Sequence, residues 1–302
     1  MAKYLDLFTD YGFKKIFGEE ANKAILIDFL NSLLPIDSPI KDLTFKNTEK
    51  LSRRPIDRKA IYDIYCENER GEKFIVELQK NKQDFFKERT IYYSTFPISE
   101  QAKRGKWLFE LKAVYCIGLL DFKFSDYTRE DEKREVVHKI TLKDQNGKQF
   151  YDKLTYIYLE MPNFNKIEKQ LSSRLDKWLY FIKNLEDFQA IPKIFRNEVV
   201  FVEAMEKAEL SKMNDVERAR YEASLKAYRD SLAILRTAMN EGIREGIKEG
   251  IEIGEANKEK YALEEVKKER MIVAKKCLKN GMSLSDITEL TGLTEDEISG
   301  LL

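Results

Sequence analysis

A chain of 302 residues with 43% hydrophobic and 12% aromatic side chains carries enough apolar material for one large domain with an appendage, or two modest ones, which excludes global disorder. Its 53 basic and 53 acidic residues cancel, so bulk charge announces no nucleic-acid partner and any basic surface must be local. One histidine, His138, and three dispersed cysteines, Cys66, Cys116 and Cys277, exclude a multi-histidine metal cluster and argue against a zinc site or a disulfide framework.

Residues 13–17 read as a short helix stopped by Gly18, and residues 22–34 as a helix on apolar spacings of three and four, closed by Pro35. A strand is predicted over 40–45. Segments 60–66 and 73–79 are rich in β-branched and aromatic residues, and 67–72, with Gly71 near its end, links them as a hairpin. Alternation places Ile61, Asp63 and Tyr65 on one face, and likewise Ile75, Glu77 and Gln79. If Tyr65 pairs with Ile75, Asp63 stands opposite Glu77 and Gln79 lies one pleat further on. Two carboxylates on adjacent, otherwise apolar strands repel unless a cation lies between them, and Mg²⁺ or Mn²⁺ with oxygen ligands is the candidate. The competing reading is a solvated acidic face of an antiparallel hairpin.

Residues 84–96 are predicted as helix, interrupted by Pro97 and continuing to about residue 105. The apolar run 113–120 has the pattern of a strand covered on both faces. Strands follow over 135–142 and 154–159, with the turn Asp144-Gln145-Asn146-Gly147 between them. Helices are expected over 167–182, 192–209 and 215–239. The order gives an α/β layered domain with a mixed sheet and a helical C-terminal extension.

Glu241-Gly242, Glu245-Gly246 and Glu249-Gly250 recur every four residues, and Gly254 extends the glycine register. Glycine costs a helix about 1 kcal/mol against alanine, so something should offset that cost. Spacing of four lays the glycines on one row, where a second backbone could approach. The row is thus read as a self-association helix giving a homo-oligomer, with a dimer expected, or else as a flexible tether. Past residue 256 a charged, solvated helix is expected, then a short helix over 271–280 ended by Gly281. Helices 283–291 and 294–302 have helix-turn-helix cadence with Gly292 in the turn. Because Glu295, Asp296 and Glu297 would meet phosphates, the tail is read as a packing module rather than a base reader. No apolar run approaches the length of about 18 residues that suggests a membrane span, and the first twelve residues are not a secretory signal. A soluble, cytoplasmic setting with no membrane partner is expected.

Several of these segments, Phe13-Lys14-Lys15-Ile16-Phe17-Gly18, Leu30-Asn31-Ser32-Leu33-Leu34, Asp63-Ile64-Tyr65-Cys66, Phe74-Ile75-Val76-Glu77-Leu78-Gln79 and the Glu-Gly repeat, occur in this order. As an ordered set the chain resembles the PD-(D/E)XK nuclease superfamily and, more narrowly, the recombination-promoting nuclease and transposase family, over residues 1 to about 255. The resemblance implies a restriction-endonuclease-like core over 1–164, a helical part of the same domain over 165–240, the repeat over 241–262 and the tail over 263–302. It implies a Mg²⁺- or Mn²⁺-dependent DNA endonuclease, with roles in recombination or phage defence. Carried over, Asp63 is the metal-bridging carboxylate and Glu77 the second ligand. Gln79 stands where the superfamily has a lysine that orients the attacking water; glutamine can hydrogen-bond water but carries no charge. Lys80 is expected to point to the opposite face. Glu19 or Glu20 is the candidate additional acid, and Arg58, Lys59, Lys80, Lys82, Lys87 and Arg89 form either a DNA-contacting rim or a solvated one. The alternative from another class is a non-catalytic DNA-binding or oligomerising module that keeps the nuclease fold.

Overall fold

The computed structural model describes residues 2–34, 38–50, 60–103, 105, 107–124 and 135–301. The chain divides into two compact units, Met1–Asp230 and Ser231–Leu302.

The first unit contains strands β1 (Leu43–Phe45), β2 (Glu49–Lys50), β3 (Ala60–Ile61), β4 (Ile64–Asn68), β5 (Lys73–Gln79), β6 (Val114–Leu120), β7 (Val137–Lys143) and β8 (Gln149–Glu160). Its helices are α1 (Asp10–Phe17), α2 (Lys23–Leu33), α3 (Phe86–Ser99), α4 (Arg174–Asn184), α5 (Val199–Ala208) and the beginning of α6 (Asp215–Lys279). A six-stranded mixed sheet runs β1-β4-β5-β6-β8-β7, and β2 pairs with β3 apart from it. Strands β5, β6 and β8 are mutually parallel, while the outer pairings are antiparallel. The parallel step from β5 to β6 requires a crossover, and α3 supplies it.

Both faces of the sheet are covered, which explains why every residue of β6 is buried. On one face Phe74, Val76, Leu78 and Ile117 pack with Phe13, Phe17, Phe29, Trp178 and Phe201 from α1, α2, α4 and α5. Trp178 and Phe201 lie 4.4 Å apart by ring centroid, and the indole N–H of Trp178 donates to Asp28 Oδ1 at 2.7 Å. Each such buried aromatic contributes about 1.5–3 kcal/mol through loss of apolar surface. On the other face Tyr65, Ile75, Cys116, Tyr156 and Tyr158 meet Phe86 and Tyr93 of α3. Helices α4 and α5 therefore share a core with the sheet.

The hairpin register is the predicted one, with Tyr65 opposite Ile75. The first predicted strand, however, is broken. Tyr62 and Asp63 leave the ladder between β3 and β4, and β3 turns to β2 instead. The break lets Tyr62 and Tyr65 bury in the same cluster, which uninterrupted alternation forbids for residues three apart. Pro97 lies inside α3 rather than interrupting it.

Helix α6 continues well past residue 239, where the pattern predicts its end. It includes the Glu-Gly repeat and the charged segment, and the short helix expected over 271–280 is its last part. A Cβ placed at Gly242, Gly246, Gly250 or Gly254 meets nothing within 4 Å. In the second unit, Ala274, Ile287, Leu293 and Ile298 form a small buried cluster between the end of α6, α7 (Leu284–Thr291) and α8 (Glu295–Ser299). Ser283 and Thr294 cap α7 and α8 through their side-chain oxygens, and Gly292 takes the left-handed turn at φ 69°.

Candidate active site

The interruption at Tyr62 and Asp63 fixes the first carboxylate. Asp63 Oδ2 accepts a 2.8 Å hydrogen bond from the Leu78 backbone N–H, so β5 itself holds the side chain. Burial raises the Asp63 pKa, opposed by that amide and by the Lys14 ammonium, whose Nζ lies 3.6 Å from Asp63 Oδ1.

Glu77 follows from the next strand. It shares the sheet face of Ile75, beneath α3, and lies in register with Gly118 of β6. Burial pushes its carboxyl up to about 8, and the Asp63 charge adds to the shift; Arg89 opposes it. Among the described residues nothing hydrogen-bonds the buried Glu77 Oε1. Beside it is a cavity of about 20 Å³ whose lining includes Arg89, Cys116, Gly118 and Tyr158, room for a single water. A Cβ at Gly118 would approach the Tyr158 ring to 3.0 Å and press on it.

Gln79 is buried at the end of β5. Its Oε1 accepts from Arg89 Nη2, and its Nε2 donates to the Asn81 carbonyl at 3.0 Å. Arg89 also donates to Gln83 Oε1 and lies against the Phe86 ring at 5.7 Å. Arg89 is thus an internal strut behind the acid pair as well as a member of the basic segment. Lys80 Nζ sits 5.5 Å over the Tyr228 ring; burial lowers its pKa, and Asp10, Asp63 and Asp6 oppose that fall, so its charge still reaches the first carboxylate. Lys82 and Lys87 are exposed, with Lys87 Nζ 5.3 Å over the Phe124 ring. Arg58 and Lys59 lie outside the described residues.

Helix α1 brings in residues that the sequence pattern did not single out. Thr9 caps it by accepting from the Gly12 N–H at 3.0 Å, and Phe13, Ile16 and Phe17 bury its inner face. Lys14, on the outer face, pairs with Asp10 at 2.8 Å, one turn before it. The Asp10 charge reaches Asp63 and raises its pKa further. Glu19 and Glu20 stand at the other end of α1, where they pair with Lys15 at 3.3 Å and Lys23 at 3.4 Å. Neither is among the charges acting most strongly on Asp63 or Glu77. The Asp10/Lys14 spacing of four on one helix face was the available signal; nothing local in the sequence connects that pair to Asp63.

Among the described residues no group of three or more His, Cys, Asp or Glu side chains is arranged to hold a metal ion. Two carboxylates still suit a hard divalent cation, since Mg²⁺ commonly takes one or two protein carboxylates and completes its shell with water and substrate phosphate. The unpartnered Glu77 Oε1 and the raised pKa of both neighbouring acids fit such an ion. Among the described residues no helix is long and apolar enough to cross a membrane.

A family model described as PD-(D/E)XK nuclease family transposase matches residues 7–238. The match covers the sheet and its flanking helices and stops short of the Glu-Gly repeat. No curated protein and no solved structure matches the chain.

Proposed function

The chain belongs to the PD-(D/E)XK nuclease family transposases, and from that premise we propose that it is a metal-dependent DNA endonuclease acting through Asp63 and Glu77. The observation that carries the reading is the unpartnered, buried Glu77 Oε1 beside a second raised carboxyl. A buried carboxylate oxygen without a hydrogen bond is costly unless a ligand completes it.

In this reading Mg²⁺ or Mn²⁺ is held by Asp63 and Glu77, and when bound it supplies Lewis acidity toward phosphate oxygen and acidifies a water. The Leu78 amide fixes the rotamer of Asp63. Arg89 partly offsets the Glu77 charge and holds Gln79. The bonds to Arg89 and Asn81 use one oxygen lone pair and one N–H of the Gln79 amide. Its second N–H and second lone pair then orient the attacking water. Hydrolysis adds one water across the P–O bond: the water oxygen joins phosphorus, and the departing sugar oxygen gains a proton. The setting we attach to this chemistry is recombination or phage defence, and we assign the open glycine row of α6 to self-association, as a dimer.

Plasmid nicking or linearisation with Mg²⁺ or Mn²⁺ tests the reading. Wild type should cut, and Asp63→Ala and Glu77→Ala should not; undiminished cleavage by both variants would show that the site is elsewhere. A second reading, a non-catalytic DNA-binding or oligomerising module, is favoured by the uncharged Gln79. An inert wild type with either metal would support it.

A further inference from the structure

An open groove of about 450 Å³ runs between α1 and the first turns of α6, with Asp10, Lys14, Lys15, Arg220 and Ser224 on its walls. Lys14 lines this groove and also ion-pairs with Asp63. Its ammonium lies 2.8 Å from Asp10 and 3.6 Å from Asp63 Oδ1, while 42% of its side chain remains exposed. The neighbouring cations are otherwise engaged. Lys15 is bound to Glu217 at 2.6 Å and to Glu19 at 3.3 Å, with 16% of its side chain exposed. Lys80 lies over the Tyr228 ring, and Arg89 is held by Gln79 and Gln83. Among the described residues, Lys14 is the cation that both ion-pairs with Asp63 and opens onto a groove.

Cleavage of a phosphodiester builds negative charge on the non-bridging oxygens, and donors aimed at that charge lower the barrier. Two acids at the centre make the same place repel an incoming phosphate, and the amide of Gln79 supplies no charge to relieve it. We propose that Lys14 is a phosphate-binding residue of this site, donating a hydrogen bond to a non-bridging oxygen of the DNA phosphate beside Asp63. The ammonium has three N–H donors, so it can hold Asp10 and the phosphate together. Asp10 keeps the lysine over the groove when DNA is absent. This inference rests on the nuclease reading for its catalytic part and on charge alone for its binding part.

The test separates the two. DNA binding to the full chain is measured in EDTA as a function of salt, for wild type, Lys14→Ala, Lys14→Gln and Lys14→Arg, with Lys148→Ala in the β7–β8 turn as a control for net charge. Loss of one phosphate contact lowers the slope of log K against log salt by about one. The alanine and glutamine variants should show that loss, while the arginine variant and the control should not. With metal present, cleavage should fall about 100-fold in Lys14→Ala, and arginine should restore it to within about tenfold of wild type. Lys14→Gln keeps the stem length, and thermal melts report whether each variant is folded. An unchanged slope in both Lys14→Ala and Lys14→Gln overturns the proposal whatever the activity, and so does an equal loss in Lys148→Ala. If wild type cuts with neither metal, the nuclease reading falls while the slope still decides the phosphate contact.

Discussion

Leu78 gives its backbone N–H to Asp63 Oδ2 at 2.8 Å, so the peptide following Glu77 holds the carboxylate opposite it. One strand thereby supplies one acid and orients the other. Lys14 sits on the other oxygen of Asp63, which leaves that side chain tethered on both sides. Asp63→Ala should therefore cost stability as well as activity, since it removes the acceptor of a partly buried amide. We expect about 1–3 kcal/mol, read from urea melts. Asp63→Asn retains an oxygen acceptor and should recover most of that stability while remaining inactive. Equal stability of the alanine variant and wild type would show that the Leu78 bond contributes nothing.

Glu77 is predicted to trade stability for function. Its folded pKa is raised from the ordinary 4.5 to about 8, so between those values the native state binds more protons than the unfolded chain. Stability of the metal-free protein should then fall as pH rises from about 4.5 through about 8. Glu77→Gln removes the ionisation. In EDTA at pH 8 it should melt a few degrees above wild type and lose most of that pH slope. In the presence of metal it should not cleave DNA. A lower melting temperature for Glu77→Gln at pH 8 would contradict the burial argument.

Asp176 gives the opposite slope at a structural site. It accepts from the Ser172 N–H at 3.0 Å and from Lys166 Nζ at 2.7 Å, and these bonds hold its carboxyl near 2. Its stabilisation is complete above the ordinary 3.8 and is lost as pH falls toward about 2. Lys166 is 45% exposed, so solvent screening trims the contribution to about 1–2 kcal/mol. Asp176→Asn should lower stability by that amount at pH 7 and by little at pH 2, measured by denaturant titration at both.

Gly12 is packed closely two residues before Lys14. A Cβ there would come within 2.2 Å of the Asp6 carbonyl and 2.7 Å of Thr9 Oγ1, the residue that caps α1. Backbone cannot yield as a flexible side chain does, so Gly12→Ala should destabilise by about 2 kcal/mol or more despite alanine's better helix propensity. Thermal melting within a degree of wild type would mean that the α1 cap relaxes freely.

These sites were legible in the sequence to different degrees, for physical reasons. Strand β5 falls on 73–79, and the pairing of Tyr65 with Ile75, a condition at the level of sequence, is the one the hairpin makes. The break at Tyr62 was invisible, because the period-two rule assumes a continuous ladder and Tyr62 instead follows the aromatic cluster under α3. Helix propensity misjudged α6, where long flanking helical sequence carries the glycines through. Lys14 lies within the Phe13–Gly18 segment, but its approach to Asp63 depends on how α1 packs against the sheet. Position along the chain does not encode that.

The repeat offers the sharpest test of assembly. Among the described residues nothing packs against Gly242, Gly246, Gly250 or Gly254, so no tertiary contact there offsets their helix penalty. Ile243, Ile247 and Ile251 are exposed alongside them at the same spacing, which adds apolar surface to the row. The triple variant Gly242→Ala, Gly246→Ala, Gly250→Ala should gain about 1 kcal/mol of helix stability per site, seen as raised helical circular dichroism on heating. If a second copy packs its backbone against the row, three methyl groups hold the helices apart, and light scattering should show the mass falling to that of a monomer. More helix with fewer subunits is the joint outcome expected of a close-packed glycine interface. More helix with an unchanged mass would assign the row to a tether and remove the self-association reading.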